Sequence, residues 1–304
     1  MAEGDRVVIV GSVALDSVET PLGRVEDALG GSAVYAGVAA HHYAPVSLVG
    51  VVGTDFPEAH LQMLAALEID TEGVEVVEGE TFRWRGRYDF DVNQAHTLAT
   101  DLNVFEHFRP TLPNSHRDSE FVFLANIDPE LQLSVLEQID GAKLTFADTM
   151  NFWIENKREP LMEVLRQVDV IFINDAEARE LCDTFSLIRA GNQLLELGPQ
   201  VVVIKKGEHG ALMFHPEQHF SVPSYPLPDV ADPTGAGDSF AGGFIGSLAA
   251  EPRLDAAAFR RAAVRGSVVA SFNVEDFSLN RLRALTAEDL RQRFREFRRF
   301  TYFD

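Results

Sequence analysis

The chain has almost no lysine. Lys143, Lys157, Lys205 and Lys206 are the only four among 304 residues, and every other basic side chain is arginine. Against 26 Lys+Arg stand 47 Asp+Glu, a formal charge of −21 at pH 7. Nucleic-acid backbones are bound through a surplus of cationic side chains, so this balance argues against a nucleic-acid partner. Cysteine is equally scarce. Cys182 alone cannot form an intramolecular disulfide, which fits a reducing, cytoplasmic setting, and beside Leu181 it reads as a small apolar core residue. No apolar run approaches the roughly 20 residues of a bilayer-spanning helix, and the stretch from Met1 to Arg6 has neither a basic start nor a following signal-peptide pattern. No membrane role is expected. Other carriers of chemistry are missing too: there is no Gly-x4-Gly-Lys-Ser/Thr loop, no Gly-x-Gly-x-x-Gly after a strand, no Gly-x-Ser-x-Gly elbow, and no histidines at metal-ligand spacing. Linkers, low-complexity tracts and internal repeats are absent, and 46% apolar residues can fill the core of one large α/β domain spanning 1–304.

What is present centres on Asp232-Pro-Thr-Gly-Ala-Gly-Asp238. Gly235, Ala236 and Gly237 can fold a tight turn whose amide hydrogens converge, because no bulky side chain blocks an approaching oxyanion. A helix follows at once. Phe240, Phe244 and Leu248 recur every four residues and face a core, while Ala241, Gly242, Gly243 and Gly246 let the helix lie close to a neighbour. The turn therefore sits at a helix N-terminus, where unpaired amides and the dipole attract phosphate. Asp238 stands at the lip of that site. A carboxylate beside a phosphate pocket is electrostatically costly unless it takes the proton of an attacking hydroxyl, which points to a kinase. The alternative is that Asp238 only caps the helix.

The stretch resembles the second signature of the PfkB, or ribokinase-like, family of carbohydrate and nucleoside kinases. The resemblance implies that Asp238 is the catalytic base and that the backbone of Gly235, Ala236 and Gly237 forms an anion hole. It also implies a ribokinase-like three-layer sandwich, with a mostly parallel central sheet and a small β-sheet lid. Further landmarks follow in the family's order. Arg6 to Val10 is a β-branched strand ending at Gly11, and Asp16 comes six residues later, where side chains beyond a strand's carboxyl end face a ligand crevice. The family has a sugar-binding Asp at the matching place; the other reading is an ordinary turn residue. Gly30-Gly31 opens a helix, and Gly31 lets substrate approach the backbone. This resembles the first signature with one departure: Tyr35 stands where many members have Asn. Its single hydroxyl either contacts the acceptor or its ring packs in the core.

Val46–Val52 is a second strand, followed by a helix over about 57–67. From Thr81 to Asn103 the pattern alternates, through Phe82, Trp84, Tyr88, Phe90 and Val92, as strands with one covered face do. With residues around 17–28 this stretch, to about 110, is expected to form the lid, and family resemblance allows a homodimer through it. Strands at Phe121–Leu124 and Leu144–Ala147 place Asn126 and Asp148 at carboxyl ends facing the acceptor. Asn174 and Glu177, three apart at a helix start, match the family's Asn-x-x-Glu motif, which implies that Glu177 holds magnesium through water. By chemistry alone the same pair is a capping box. Lys206, Gly207 and Gly210 resemble the family's nucleotide-binding turn loosely, and Asn273 begins a loop that borders the adenine. Asp232 and Thr234 match positions that hold a monovalent ion, such as potassium, in some members.

The expectation is an ATP-dependent kinase phosphorylating a hydroxymethyl group of a sugar, with magnesium as cofactor. A nucleoside acceptor is the alternative within the family, and a non-catalytic sugar- or nucleotide-binding sensor the alternative outside it. The acidic, lysine-poor surface is that of a protein kept soluble in concentrated salt, where its self-repulsion is screened. Thermal melting from low to molar potassium chloride should therefore show a rising midpoint well past physiological ionic strength; a flat or falling midpoint removes the halophile inference.

Overall fold

A computed structural model describes residues 4–216 and 218–302. Its thirteen strands are β1 (Val7–Val10), β2 (Ala14–Thr20), β3 (Gly23–Gly30), β4 (Val46–Gly53), β5 (Asp70–Val77), β6 (Arg83–Tyr88), β7 (Ala95–Asp101), β8 (Phe121–Leu124), β9 (Leu144–Asp148), β10 (Val170–Asn174), β11 (Val201–Lys205), β12 (Ala211–His215) and β13 (Gln218–Val222). Ten α-helices accompany them among the described residues: α1 (Ser32–Ala40), α2 (Glu58–Ala66), α3 (Pro129–Leu136), α4 (Asn151–Asn156), α5 (Arg158–Gln167), α6 (Asp175–Leu181), α7 (Leu187–Leu197), α8 (Ala236–Ala249), α9 (Ala256–Asn273) and α10 (Ala287–Thr301).

Nine strands form one sheet in the order β13-β12-β11-β10-β9-β8-β1-β4-β5. The pairs from β11 across to β5 are all parallel, and β12 and β13 close one edge antiparallel. Runs such as Val7-Val-Ile-Val10 are apolar at every position because both faces are covered. Val7 and Ile9 pack toward α1, α8 and α9, whereas Val8 and Val10 pack toward α3, α5, α6 and α7. The result is the expected ribokinase-like sandwich of helices, sheet and helices. After β1 the chain builds outward to β4 and β5, then returns to the other side of β1 with β8 and continues to β11. Such a reversal opens a crevice at the carboxyl ends of the strands, here at β1 and β8.

The second sheet has the order β3-β2-β6-β7. It is built from Ala14–Gly30 and Arg83–Asp101, so it starts earlier and ends sooner than expected, and residues 103–107 turn into a short 3-10 helix instead. The β2–β6 pair is parallel, flanked by two antiparallel hairpins. Asp16 lies within β2 and not in a loop after β1. Three strands (β5, β12 and β13) and three helices (α4, α5 and α7) escaped the sequence reading. β5 is an edge strand rich in acidic residues and interrupted by Gly73, and β13 alternates only weakly, so neither carries the run of buried side chains that marks an inner strand. α5 and α7 are strongly amphipathic surface helices.

The small residues of α8 do what their spacing implies. A Cβ on Gly242 would stand 2.1 Å from the carbonyl oxygen of Ala36, and one on Gly246 2.6 Å from that of Ala40. The α1 and α8 backbones therefore touch. Since the obstacle is backbone, Gly242→Ala must push the helices apart, at a cost of about 1–3 kcal/mol. Urea denaturation should show a lower midpoint with an unchanged slope; an unaltered midpoint would mean that the helices do not meet here.

Candidate active site

The turn before α8 is pinned from several sides. The Asp232 carboxylate, 1% exposed, accepts the Thr234 amide (2.9 Å) and the Ser278 amide (3.1 Å). Asn273, at the end of α9, donates to the Thr234 carbonyl (2.8 Å) and accepts from the Ser239 hydroxyl (3.3 Å). Asn273 thus clamps the turn as the last residue of α9, not the first of a loop. Gly235 has φ +71°, and a Cβ there would lie 2.3 Å from the Tyr35 ring. Both the left-handed backbone and the ring beneath demand glycine. The expected trio of amides needs one correction: Ala236 N–H already donates to the Pro233 carbonyl (3.2 Å). The amides of Gly235 and Gly237 have no backbone acceptor among the described residues, and they form the cradle.

Asp238 lies in the first turn of α8. Burial in the concave site pushes its carboxyl up to about 7; Asp148 and Asp16 add repulsion, and Lys205 opposes them. Asp16, 5% exposed on β2, is also pushed to about 7 by burial and by Asp232, against the stabilising Gly31 amide. Gly31 has φ +95° and caps α1, and its backbone bears on the Asp16 carboxyl. Tyr35 packs in the core. Its ring is buried under Gly235, while its hydroxyl has no hydrogen-bond partner among the described residues and is held protonated by burial and by Asp16, Asp232 and Asp238. A buried hydroxyl without a partner, facing carboxylates, is a place for a ligand's polar atom. Tyr88 of β6 adds a second phenol from the small sheet, its oxygen 3.4 Å from the Thr234 hydroxyl. Nothing but its place in the alternating stretch could have singled it out.

On the other flank, Asn174 and Glu177 form the full capping box: the Asn174 side chain accepts the Glu177 amide (2.8 Å), and Glu177 Oε2 accepts the Asn174 amide (2.8 Å). Burial raises the Glu177 carboxyl to about 7, with Lys205 opposing and Asp148 adding to the rise. Lys205, not Lys206, is the lysine brought into the site. It ends β11 in register with Asn174, and its ammonium is 2.5 Å from Asp148 Oδ2 and 3.1 Å from where a Cβ on Gly237 would be. Asp148, expected on the acceptor side, is committed to Lys205 and to the Thr149 amide (2.9 Å). Asn126, likewise expected there, has its side-chain oxygen occupied by the Trp153 indole (2.9 Å). Lys206 starts a 3-10 turn in which Gly207 and Gly210 take left-handed φ of +52° and +78°. Asn93 from the β6–β7 connection fills the space beside Gly207 and accepts the Glu208 amide (3.1 Å).

These groups fit a nucleoside triphosphate with its divalent ion. The cradle at Gly235 and Gly237 offers bare amides at a helix N-terminus, a buried cation stands over it, and Glu177 supplies one oxygen-donor carboxylate of the kind a hydrated magnesium needs. The arrangement is one that a phosphotransferase acting on an alcohol group requires. Residues 5–283 match the pfkB family carbohydrate kinases, and the chain belongs to that family. It is 32% identical over 247 residues to a cytidine kinase of Thermococcus kodakarensis, covering 79% of this chain and 87% of that one. It resembles in fold a nucleoside kinase of Burkholderia thailandensis in complex with inosine (TM-score 0.79, 21% identity, 97% and 98% of the two chains). It also resembles an E. coli protein described as a putative ribokinase II in complex with ATP and magnesium (TM-score 0.78, 18% identity, 97% and 99% covered).

Asp238, Asp16 and Glu177 keep their protons to about pH 7 in the folded chain, whereas unfolded carboxyls release theirs near pH 4. Between those values the folded state binds more protons, so stability falls as pH rises toward 7. Denaturation of the ligand-free protein between pH 5 and 7.5 should show that fall, and Asp238→Asn, which removes one of the groups, should make it shallower. Identical slopes would place Asp238 in water with an ordinary carboxyl.

Proposed function

We propose that this chain transfers the γ-phosphoryl group of ATP to a hydroxymethyl group of a nucleoside. The observation that carries the reading is Asp238, a proton acceptor poised near neutrality at the mouth of the Gly235 and Gly237 amide cradle. The acceptor hydroxyl gives its proton to Asp238 as its oxygen bonds to the γ-phosphorus, and the bond from that phosphorus to the bridging β-γ oxygen breaks to release ADP. The amides stabilise charge on the transferring group. Asp16, the Gly31 backbone and the Tyr35 hydroxyl orient the acceptor's other hydroxyls, and Tyr88 closes the pocket from the small sheet, which acts as the lid. Glu177, with Asn174, would hold magnesium through water, and the ion would neutralise phosphate charge. Gly207 and Gly210, in the turn after β11, border the nucleotide phosphates. Asp232 and Thr234 belong to a potassium site, the lid edge offers a dimer surface, and the single cysteine suits the cytoplasm.

The names of similar kinases support a nucleoside acceptor over the free sugar that the sequence first suggested. The free sugar stays as the second reading on one observation: Asp16, Gly31 and Tyr35 all address hydroxyls, and none of them addresses a base. A coupled assay over cytidine, other nucleosides and free sugars, at low and molar potassium chloride, should find turnover with a nucleoside. Turnover with free sugars alone would move the acceptor to the second reading, and none at all would make the chain a sensor. Asp238→Asn should lower turnover by a factor of about 10² to 10⁴ with ATP affinity kept and the fold intact. A variant keeping more than half the parent rate would end the catalytic assignment.

A further inference from the structure

Exposure alternates along β6: Arg85 and Arg87 are turned to solvent, while Gly86 and Tyr88 are buried. Trp84 shares the face of Gly86 and Tyr88, because side chains two apart on a strand point the same way. Across the parallel β2–β6 pair, Trp84 stands opposite Asp16 and Gly86 opposite Val18. Asp16 and Val18 are both buried, so this is the face that the small sheet turns toward the acceptor pocket. The indole of Trp84 is held flat on it. A Cβ on Gly86 would stand 2.1 Å from Cη2 and 2.4 Å from Cζ2 of Trp84, so the six-membered ring rests on bare backbone. Its Nε1 donates to the Thr97 hydroxyl on β7 (3.3 Å), which spends the ring's one polar atom. One face of the ring thus lies against the strand. The other is left open, and Trp84 as a whole is only partly buried. Its neighbours in the same row across the sheet are Asp16, then Ala28 on one side and Thr100 on the other, and the last two are small enough to leave room above the ring.

Resting on the reading of a nucleoside acceptor above, we propose that Trp84 is a specificity-determining residue: a stacking platform for the acceptor's nucleobase, which selects nucleosides over free sugars. In a nucleoside the base leaves the ribose at the carbon next to the 2′-hydroxyl. Hydroxyls gripped by Asp16 therefore put the base within about one strand spacing, roughly 4.8 Å, of β2. Trp84 occupies the neighbouring strand at the same level. Every nucleobase offers a flat π-face comparable to an indole, and stacking asks no hydrogen bond of the ring, so a platform whose N–H is already committed to Thr97 loses nothing by serving. A free sugar has no such face and leaves the indole against water. Asp16, Gly31 and the Tyr35 hydroxyl discriminate only among hydroxyls, and Trp84 supplies the recognition of a base that they lack. Gly86 is part of the device, since any side chain there would lift the ring off the strand into the space that the base needs.

The test compares cytidine with methyl β-riboside, which keeps the ribose hydroxyls and carries no base. The chain has two tryptophans, so Trp153→Phe leaves Trp84 as the sole indole. In that background cytidine should quench the Trp84 emission saturably, and the riboside should leave it unchanged. Calorimetry should show Trp84→Ala raising the cytidine Kd about fivefold to a hundredfold, with the riboside Kd kept within about twofold. Because truncation can loosen the small sheet, Trp84→Phe is measured alongside; it keeps an aromatic face and should recover most of the loss. A cytidine Kd unmoved in Trp84→Ala would overturn the platform, and so would equal losses for cytidine and riboside, which make Trp84 a brace of the sheet. These outcomes are separable from the fate of the kinase reading. Cytidine binding that depends on Trp84 in a parent without turnover would sink phosphoryl transfer and keep the platform. Cytidine turnover in the parent, with the same Kd in Trp84→Ala, would keep the transfer and sink the platform. A parent that binds the riboside and no nucleoside would overturn the nucleoside acceptor and the platform together.

Discussion

The backbone contact between α1 and α8 is the constraint on which the rest depends. Gly242 and Gly246 bring α8 against the carbonyls of Ala36 and Ala40, and at the leading end Gly235 rests on the Tyr35 ring. With any side chain between them, the N-terminus of α8 would stand off from the sheet, and its amides would no longer face the crevice at the carboxyl ends of β1 and β8. The same approach sets Asp16, beside the start of α1, and Asp238, in the first turn of α8, on two sides of one cavity. Packing and chemistry are here a single requirement, since the residues that let the helices meet also leave the amides bare.

The second organising force is charge held out of water. Asp16, Asp148, Glu177, Asp232 and Asp238 are all pushed toward the protonated form, chiefly by burial. Five such groups around one cavity cost stability, and the fold meets the cost in different ways. Asp232 receives backbone amides, Glu177 a helix cap, Asp148 a lysine. Asp16 and Asp238 are met least by fixed partners.

The outer surface is governed by other rules. Arg281 and Arg293 pair with Glu275 while lying over the Phe272 ring, and Arg261 and Arg265 pair with Glu251. These arginines join α9, the segment after it and α10 through planar, many-donor contacts that a lysine does not make. Over the whole chain the acidic residues outnumber the basic ones, 47 to 26, for a net charge of −21.

Much was legible in the sequence because it depends on local geometry. The β-branched runs buried on both faces, the glycine turn before a helix of small residues, the Asn174–Glu177 box and the order of these landmarks each follow from neighbours within a few residues, and together they define the fold class and the position of Asp238. What sequence could not decide was which of two adjacent groups faces the site. Side chains alternate along a strand, so a shift of one residue separates Lys205 in the cavity from Lys206 in the turn, and only the register of β11 against β10 chooses between them. The partners of Asp148, Asn126 and Asn273 lie 57, 27 and 34 to 39 residues away. Their side chains were equally free, by sequence, to bind a ligand or to brace the frame. The tertiary structure gave Asn126 and Asn273 to the frame and Asp148 to a lysine, because a buried polar group takes the nearest fixed partner that the packing brings to it.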